Sequence, residues 1–291
     1  MRSVLLSLIA ALVLPLSLLA ENQVKITKDI PFATFGDRTL KIDLHMPQGV
    51  ENPPLVMFIH GGGWRNGSRK GCKIAWAARH GYAVASVEYR FSQQAIFPAQ
   101  IHDCKGALRW LRAKQEKYRY DASRVVVAGS SAGGHLAALM ATSGGVKALE
   151  GTTAGNLDQS SRVQASIPYY GPSDFLLRSR FQPSKTDHPN GGAYGLIGGP
   201  VQENLELANQ ASPVTHISKD DPPLLLLHGL KDKTVYPRQS QHLHELYLQG
   251  GLQSQLLLGP DSGHGWKGFW PDEKETILEF LKKHFPPGEG K

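Results

Sequence analysis

The feature that most constrains this 291-residue chain is a strand, a tight turn and a helix in immediate succession at residues 124–142, RVVVAGSSAGGHLAALMAT. The run VVVA at residues 125–128 is apolar without alternation, which is typical of a parallel strand buried on both faces. The turn GSSAG has the form G-x-S-x-G, which places Ser131 in strained backbone geometry at the start of a helix. Free N–H groups there favour negative charge. The pattern predicts Ser131 as a nucleophile, and a Gly/Ser-rich turn without chemistry is the alternative.

A serine hydroxyl is a weak nucleophile, so the chain must also supply a base and a group that orients the base. Chains with this turn carry the three groups in the order Ser, acid, His. Two later apolar runs, at residues 224–227 and 255–258, predict strands, and a polar loop follows each of them. The first loop carries Asp232 and the second carries His264. We expect both side chains at the carboxyl edge of the sheet, where open α/β sheets bind ligands.

A glycine-rich loop, HGGGW at residues 60–64, follows another apolar strand at residues 55–59. Such a loop supplies backbone N–H groups for the oxyanion of a tetrahedral intermediate. We expect Gly62, Gly63 and Ala132 to form this oxyanion hole, with the pair Gly63 and Trp64 as the alternative on the loop. Trp64 and Trp266 are candidates for an aromatic wall that binds an acyl group or a sugar ring. Core packing is the alternative for both.

Other residues of the same types compete for these roles. Ser130 adjoins Ser131, but the central residue of the pentapeptide lies at the apex of the turn. For the acid, Asp232 is favoured, because Asp220 and Asp221 precede the strand at 224–227 and Asp261 shares a loop with the base. The competing histidines are His60, expected to shape the oxyanion loop, His228, which precedes the acid, and His135, expected to be structural.

No metal or cofactor is expected. His242 and His244 lie two apart on a predicted helix, so their side chains point in different directions. The sequence contains neither H-E-x-x-H nor a cysteine cluster.

The amino terminus predicts a secretory signal peptide at residues 1–20, because a basic residue and an uncharged apolar run precede polar ENQ. This predicts export to the periplasm or beyond the cell, with an uncleaved membrane anchor or a buried first helix as the alternatives. Residues 21–291 fit a single α/β domain, since such domains run to about 250 residues and more. The net charge is +7 with basic residues dispersed, so neither nucleic-acid binding nor stable membrane insertion after signal removal is expected.

These blocks resemble α/β-hydrolase serine esterases, in the group with hormone-sensitive-lipase-like enzymes and, closer, the bacterial feruloyl and acetyl-xylan esterases. The likeness covers most of residues 55–265, including HGGGW, FPAQIHDCK at 97–105, GSSAG and HGLKD at 228–232. It implies a mostly parallel, doubly wound sheet flanked by helices. It also implies a serine esterase with the triad Ser131, His264 and Asp232, which removes acetyl or feruloyl groups from xylan-type polysaccharides or oligosaccharides. The expected partner is therefore a small-molecule or carbohydrate ester.

Strand and helix patterns alternate along the rest of the chain, which indicates a parallel sheet. Residues 35–46 predict an antiparallel hairpin at the sheet edge, and residues 68–80 and 98–118 predict helices. Between residues 174 and 214 the periodicity is lost. Residues 175–212 form either a lid or substrate-pocket insertion or a plain surface excursion.

Cys72 and Cys104 are the only cysteines. An even pair in an exported protein favours a disulfide, and two buried free thiols are the alternative.

Two other functional classes remain open. The first is a peptidase of the prolyl-oligopeptidase type, although such enzymes carry a large additional domain. The second is a non-catalytic binding protein on the same fold, although such proteins lose the nucleophile or the base.

Overall fold

The computed structural model describes residues 22–265 and 273–288. The predicted signal peptide at residues 1–20 and the candidate Trp266 lie outside the described residues. Within the described part, the strands are β1 Val24–Phe35, β2 Arg38–Pro47, β3 Pro54–Ile59, β4 Ala83–Val87, β5 Asp121–Ser130, β6 Ala165–Tyr169, β7 Leu224–Gly229 and β8 Ser254–Gly259. The helices are α1 Ala99–Ala113, α2 Gln115–Tyr118, α3 Ala132–Thr142, α4 Phe175–Phe181, α5 Pro183–Thr186, α6 Gly192–Ile197, α7 Leu205–Ala211, α8 Arg238–Gln249 and α9 Glu273–His284.

The described strands form one sheet in the order β1-β2-β4-β3-β5-β6-β7-β8. The first two strands pair antiparallel, as do β2 and β4, and the remaining neighbours are parallel. The predicted hairpin at the sheet edge is confirmed, with its turn at Gly36, where φ is 53°. The chain leaves β3 for β4 on one side and later returns to place β5 on the other. Loops that follow β3 and β5 therefore flank a crevice, the usual ligand position in open α/β sheets.

The central strands are buried on both faces, as their continuous apolar runs predict. In β3, Leu55, Met57 and Ile59 pack on one side of the sheet, while Val56 and Phe58 pack on the other. Helices α1, α3 and α8 cover the first face, and α9 covers the second together with a 3₁₀ helix at Ala75–His80. Among the described helices, none has both the length and the apolarity needed to cross a membrane.

Two predicted helices differ in detail from the observed elements. Residues 68–80 form two short 3₁₀ helices, Arg69–Gly71 and Ala75–His80, because the intervening residues 72–74 interrupt the pattern. The long helix predicted at 98–118 begins after a cis Phe97–Pro98 bond. It divides at Lys114 into α1 and α2.

The segment without periodicity is helical. Four helices of four to seven residues, α4 to α7, occupy it, and 3₁₀ turns at Val201–Glu203 and Pro213–His216 complete it. Elements this short show no amphipathic repeat in a sequence window, since two turns are needed to repeat one face.

The expected disulfide between Cys72 and Cys104 is not formed, and both cysteines are free. Cys104 lies on α1 within the core on one face of the sheet, whereas Cys72 packs against the core on the opposite face. Their elements are neighbours in sequence, but β4 and the sheet separate them. Burial raises the pKa of the Cys72 thiol to about 12 and raises that of Cys104 as well.

We therefore expect the purified protein to contain two thiols that react slowly while it is folded, because little thiolate is present at neutral pH. Alkylation after unfolding without reductant, followed by mass spectrometry, should label both cysteines. A reducing agent should leave the melting temperature unchanged. A single unlabelled pair, or a melting temperature lowered by reductant, would contradict this expectation.

Candidate active site

The turn between β5 and α3 holds Ser131 in an unusual conformation, with φ 55° and ψ −116°. Two close backbone contacts surround it. A Cβ on Gly129 would lie 2.2 Å from the carbonyl oxygen of Gly133, and one on Gly133 would lie 2.0 Å from that of Ile59. Only glycine fits at either position. The helix can therefore begin directly against the end of β3, with the serine at the apex of the turn.

The structure brings together the three predicted side chains. The Nε2 atom of His264 lies 2.9 Å from the Oγ of Ser131. The Nδ1 atom of the same ring lies 2.7 Å from Oδ2 of Asp232. Ser131 follows β5, Asp232 follows β7 and His264 follows β8, so all three occupy the carboxyl edge of the sheet. Donation by Nδ1–H to the carboxylate leaves Nε2 as the acceptor for the serine hydroxyl.

Asp232 is surrounded by donors. Its Oδ1 accepts backbone N–H groups from Thr234 and Val235 at 2.8 and 3.0 Å. Its Oδ2 also lies 3.2 Å from Nε2 of His228, which the sequence did not single out as a partner of the acid. Burial raises the pKa of Asp232, but the hydrogen bonds from His228 and His264 outweigh it and bring the pKa well below its usual range. The acid is therefore ionised across the physiological pH range.

The loop after β3 presents backbone N–H groups at the same edge. Gly62 has φ 118°, and a Cβ there would lie 2.1 Å from the carbonyl oxygen of Asn66, so the loop requires glycine at this position. The N–H groups of Gly62 and Gly63 donate to no described residue. Ala132 is the first residue of α3, so its N–H has no partner within the helix. The N–H groups of these three residues are therefore available as donors at the carboxyl edge of the sheet.

A cleft of about 630 Å³ opens above these residues and includes Ser131, His264 and the loop at residues 61–66. The helical segment after β6 forms its opposite wall through Arg178, Ser184, Lys185 and residues 190–192. Tyr170 also lines it, with its ring edge-on to His264 at 4.8 Å. Within the described residues no group of three or more His, Cys, Asp or Glu side chains could hold a metal ion.

Comparison with known proteins agrees with this geometry. The BD-FAE family profile matches residues 42–247, which is more than half of the chain. This chain belongs to the BD-FAE family. The resemblance to α/β-hydrolase esterases predicted from the motifs is thereby confirmed. His264 lies beyond the matched residues, so its place in the site comes from the structure.

Individual relatives of this BD-FAE chain are esterases by name. This chain is 33% identical to the probable carboxylic ester hydrolase LipM of Mycobacterium tuberculosis. The alignment extends over 220 residues and covers 73% of this chain and 49% of LipM. The chain thus spans about half the length of the curated relatives it matches. A solved structure described as a truncated carbohydrate esterase from gut microbiota superposes with a TM-score of 0.83 at 26% identity, over 91% of this chain and 97% of the other. A bifunctional GH43-CE protein of Bacteroides eggerthii gives 0.80 at 31% identity, over 89% and 35%.

Trp64 lines the BD-FAE cleft but is almost wholly buried, which fits core packing, the alternative to the aromatic wall. Its side chain is only 2% exposed and packs at the core against Phe175. Its Nε1–H donates to Nδ1 of His135 at 3.1 Å.

His135 is structural, as expected. Its Nδ1 accepts from Trp64, so its Nε2–H donates to the carbonyl oxygen of Ala211 at 2.7 Å. One ring thus connects the oxyanion loop, α3 and the end of α7. Burial lowers the pKa of His135 to about 4, so the ring is neutral near pH 7.

The other aspartates and histidines considered for the roles of acid and base have different partners. Asp261 is exposed and pairs with Lys231, while Asp220 pairs with Arg162. Burial raises the pKa of Asp221 to about 6, and its carboxylate bonds to Ser218. Nδ1 of His60 donates to its neighbour's carbonyl oxygen in the glycine loop, which fits the expected shaping role.

Replacement of Gly133 by alanine should disrupt the elbow, because its Cβ would lie 2.0 Å from the Ile59 oxygen. We expect a loss of about 3 kcal/mol in unfolding free energy, the upper end for overpacked cores. Gly71→Ala is the matched control, since its Cβ would meet nothing within 4 Å. Urea unfolding of both variants tests this, and equal stability would contradict the close contact.

His135 should make the protein acid-sensitive. The ring titrates near 6.5 when unfolded and near 4 when folded, so the unfolded state binds a proton first as pH falls. Below pH 6.5 this destabilises the folded state by up to about 3 kcal/mol, complete near pH 4. The stability advantage of the natural protein over His135→Gln should shrink across that range. An advantage independent of pH, measured by urea unfolding, would show that the histidine carries no such linkage.

Proposed function

We propose that this protein is a serine carboxylic ester hydrolase. The observation that carries the proposal is the continuous set of hydrogen bonds from Ser131 through His264 to the ionised Asp232. In this role Ser131 attacks the ester carbonyl carbon while His264 takes its proton. Asp232 orients the imidazole and stabilises its charged form. The backbone N–H groups of Gly62, Gly63 and Ala132 donate hydrogen bonds to the developing oxyanion.

The proton that His264 takes from Ser131 is then passed to the leaving group. His264 protonates the leaving alcohol, which breaks the ester bond and leaves an acyl group on the Ser131 oxygen. Water then attacks that acyl group with His264 as the base, and the carboxylic acid leaves as the serine regains its proton.

The proposed substrates are carbohydrate esters, with acetyl or feruloyl groups on xylan-type polysaccharides or oligosaccharides. Two observations support this class: the named carbohydrate esterase among the structural neighbours and the wide cleft beside the serine. Export, suggested by the apolar amino terminus, would place the enzyme where such polymers occur.

The first test is hydrolysis of p-nitrophenyl acetate, butyrate and octanoate, of methyl ferulate and of acetylated xylan by the natural protein and by Ser131→Ala. We expect the natural protein to cleave the esters and the variant to lose at least about 10⁴-fold in kcat, since the residual rate lacks a nucleophile. A folded protein that cleaves none of these esters would refute the proposal.

The acid assignment has its own test. Asp232→Asn should lower kcat by about 10⁴-fold, because an amide neither holds the required tautomer nor stabilises the imidazolium. Asp261→Asn, on the same loop as His264 but exposed, is the control and should stay within about 2-fold of the natural protein. Similar losses in both variants would show that Asp232 is not the orienting acid.

A further inference from the structure

Arg178 is a buried cation with few partners. The residue lies on α4, lines the cleft and is 6% exposed. Its only hydrogen bond to a described residue runs from Nη2 to the carbonyl oxygen of Thr234, at 3.1 Å. The buried Nε has no acceptor. A guanidinium has five N–H donors, so most of its capacity is unused.

No described carboxylate lies within ion-pair distance of this guanidinium. Asp232 raises the pKa of Arg178 through its charge, but its two oxygens already accept from His228, His264 and two backbone N–H groups. Burial lowers the pKa of Arg178 to about 10, partly offset by Asp232, so the group remains cationic near pH 7. A buried charge without a paired partner is unfavourable unless something else supplies the opposite charge.

Support of the loop at residues 232–236 does not account for Arg178, because Gln182 already provides it. The Gln182 side chain donates to the carbonyl oxygen of Lys233 at 3.2 Å and accepts the N–H of Tyr236 at 3.2 Å. The loop is thus held by hydrogen bonds to a neutral residue, Gln182, which directly follows the end of α4. Holding the loop at residues 232–236 therefore does not require the positive charge of Arg178.

The rest of the cleft has the same sign. Arg65, Lys73 and Lys185 also line it, all three exposed, and none forms an ion pair with a described residue. No aspartate or glutamate occurs among the described lining residues. Converging cations without acidic neighbours raise the local concentration of anions and favour an anionic ligand.

We propose that the substrate carries a carboxylate that binds Arg178, with the exposed cations attracting it into the cleft. A planar guanidinium binds carboxylates through paired N–H donors, which fixes the orientation of the bound group. The carboxylate has two chemical sources, a dicarboxylic acyl group or a uronic acid residue on the alcohol side of a carbohydrate ester. This inference rests on the proposed esterase function and specifies its substrate class.

Matched pairs of esters test the proposal. Mono-4-nitrophenyl succinate and its neutral methyl ester probe the acyl side by release of nitrophenol. An acetylated methyl glucuronoside and the corresponding acetylated methyl glucoside probe the alcohol side by release of acetate. In at least one pair we expect kcat/KM to favour the anionic ester by about 10- to 100-fold, the usual effect of a charged hydrogen bond. The preference should weaken in 0.5 M NaCl.

Variants assign that preference to Arg178. Arg178→Met should reduce the anionic-to-neutral ratio to near one, and Arg178→Lys should give an intermediate ratio. Gln182→Ala is the structural control, because loosening the acid loop should lower kcat/KM for both members of a pair and leave the ratio unchanged. Arg65→Gln tests an exposed cation and should alter the ratio only slightly. A ratio near one in the natural protein for both pairs, or an unchanged ratio in Arg178→Met, would overturn the proposal.

A binding measurement separates this inference from the esterase function. Calorimetry measures the binding of sodium glucuronate and of sodium succinate to the Ser131→Ala variant. The same titrations are made with two double variants, in which Arg178→Lys or Arg178→Met is added to Ser131→Ala. Binding that the second substitution weakens at least about 10-fold supports the anion site even if no ester is cleaved. Absence of binding of both anions to Ser131→Ala, or binding that neither second substitution changes, argues against the site even if neutral esters are cleaved.

Discussion

The contact between the end of β3 and the start of α3 is the constraint on which the site depends. Gly129 and Gly133 let two backbones approach where any side chain would collide with a carbonyl oxygen. This approach fixes the turn at Ser131 with positive φ. It also places the glycine loop after β3 beside the first N–H groups of the helix. Nucleophile and oxyanion donors are therefore positioned by one packing arrangement, because both belong to the same strand–helix junction.

His135 extends that junction into the core. Its neutral ring accepts from the Trp64 indole and donates to the end of α7, so a single buried group links the oxyanion loop to the helical segment. A charged ring could not accept from the indole, and the low pKa keeps it neutral. Satisfied buried polar groups of this kind specify one arrangement of the surrounding core. Trp64 thus connects the oxyanion loop to the core through His135 and Phe175.

Sequence reasoning was most successful where periodicity and position carry the signal. Continuous apolar runs predicted the central strands, and a polar residue just after β5, β7 and β8 predicted which side chains would meet. It was wrong where the outcome depends on which face of the sheet an element covers, as with Cys72 and Cys104. Helices α4 to α7 are too short to show a periodic pattern. Arg178 is followed by Ser179 and Arg180, so the local sequence resembles a solvated helix face. Only the fold places Arg178 in the cleft.

The two sides of the cleft come from different parts of the fold. The groups proposed for bond breaking lie at the carboxyl edge of the sheet, where β3, β5 and β7 end buried on both faces. The opposite wall, with Arg178, comes from short helices connected by loops. Changes in that wall alter the shape and charge presented to a substrate without moving Ser131 relative to His264. Specificity can therefore vary among chains with this fold while the geometry at the serine is retained, which is why substrate class must be argued from the wall and not from the triad.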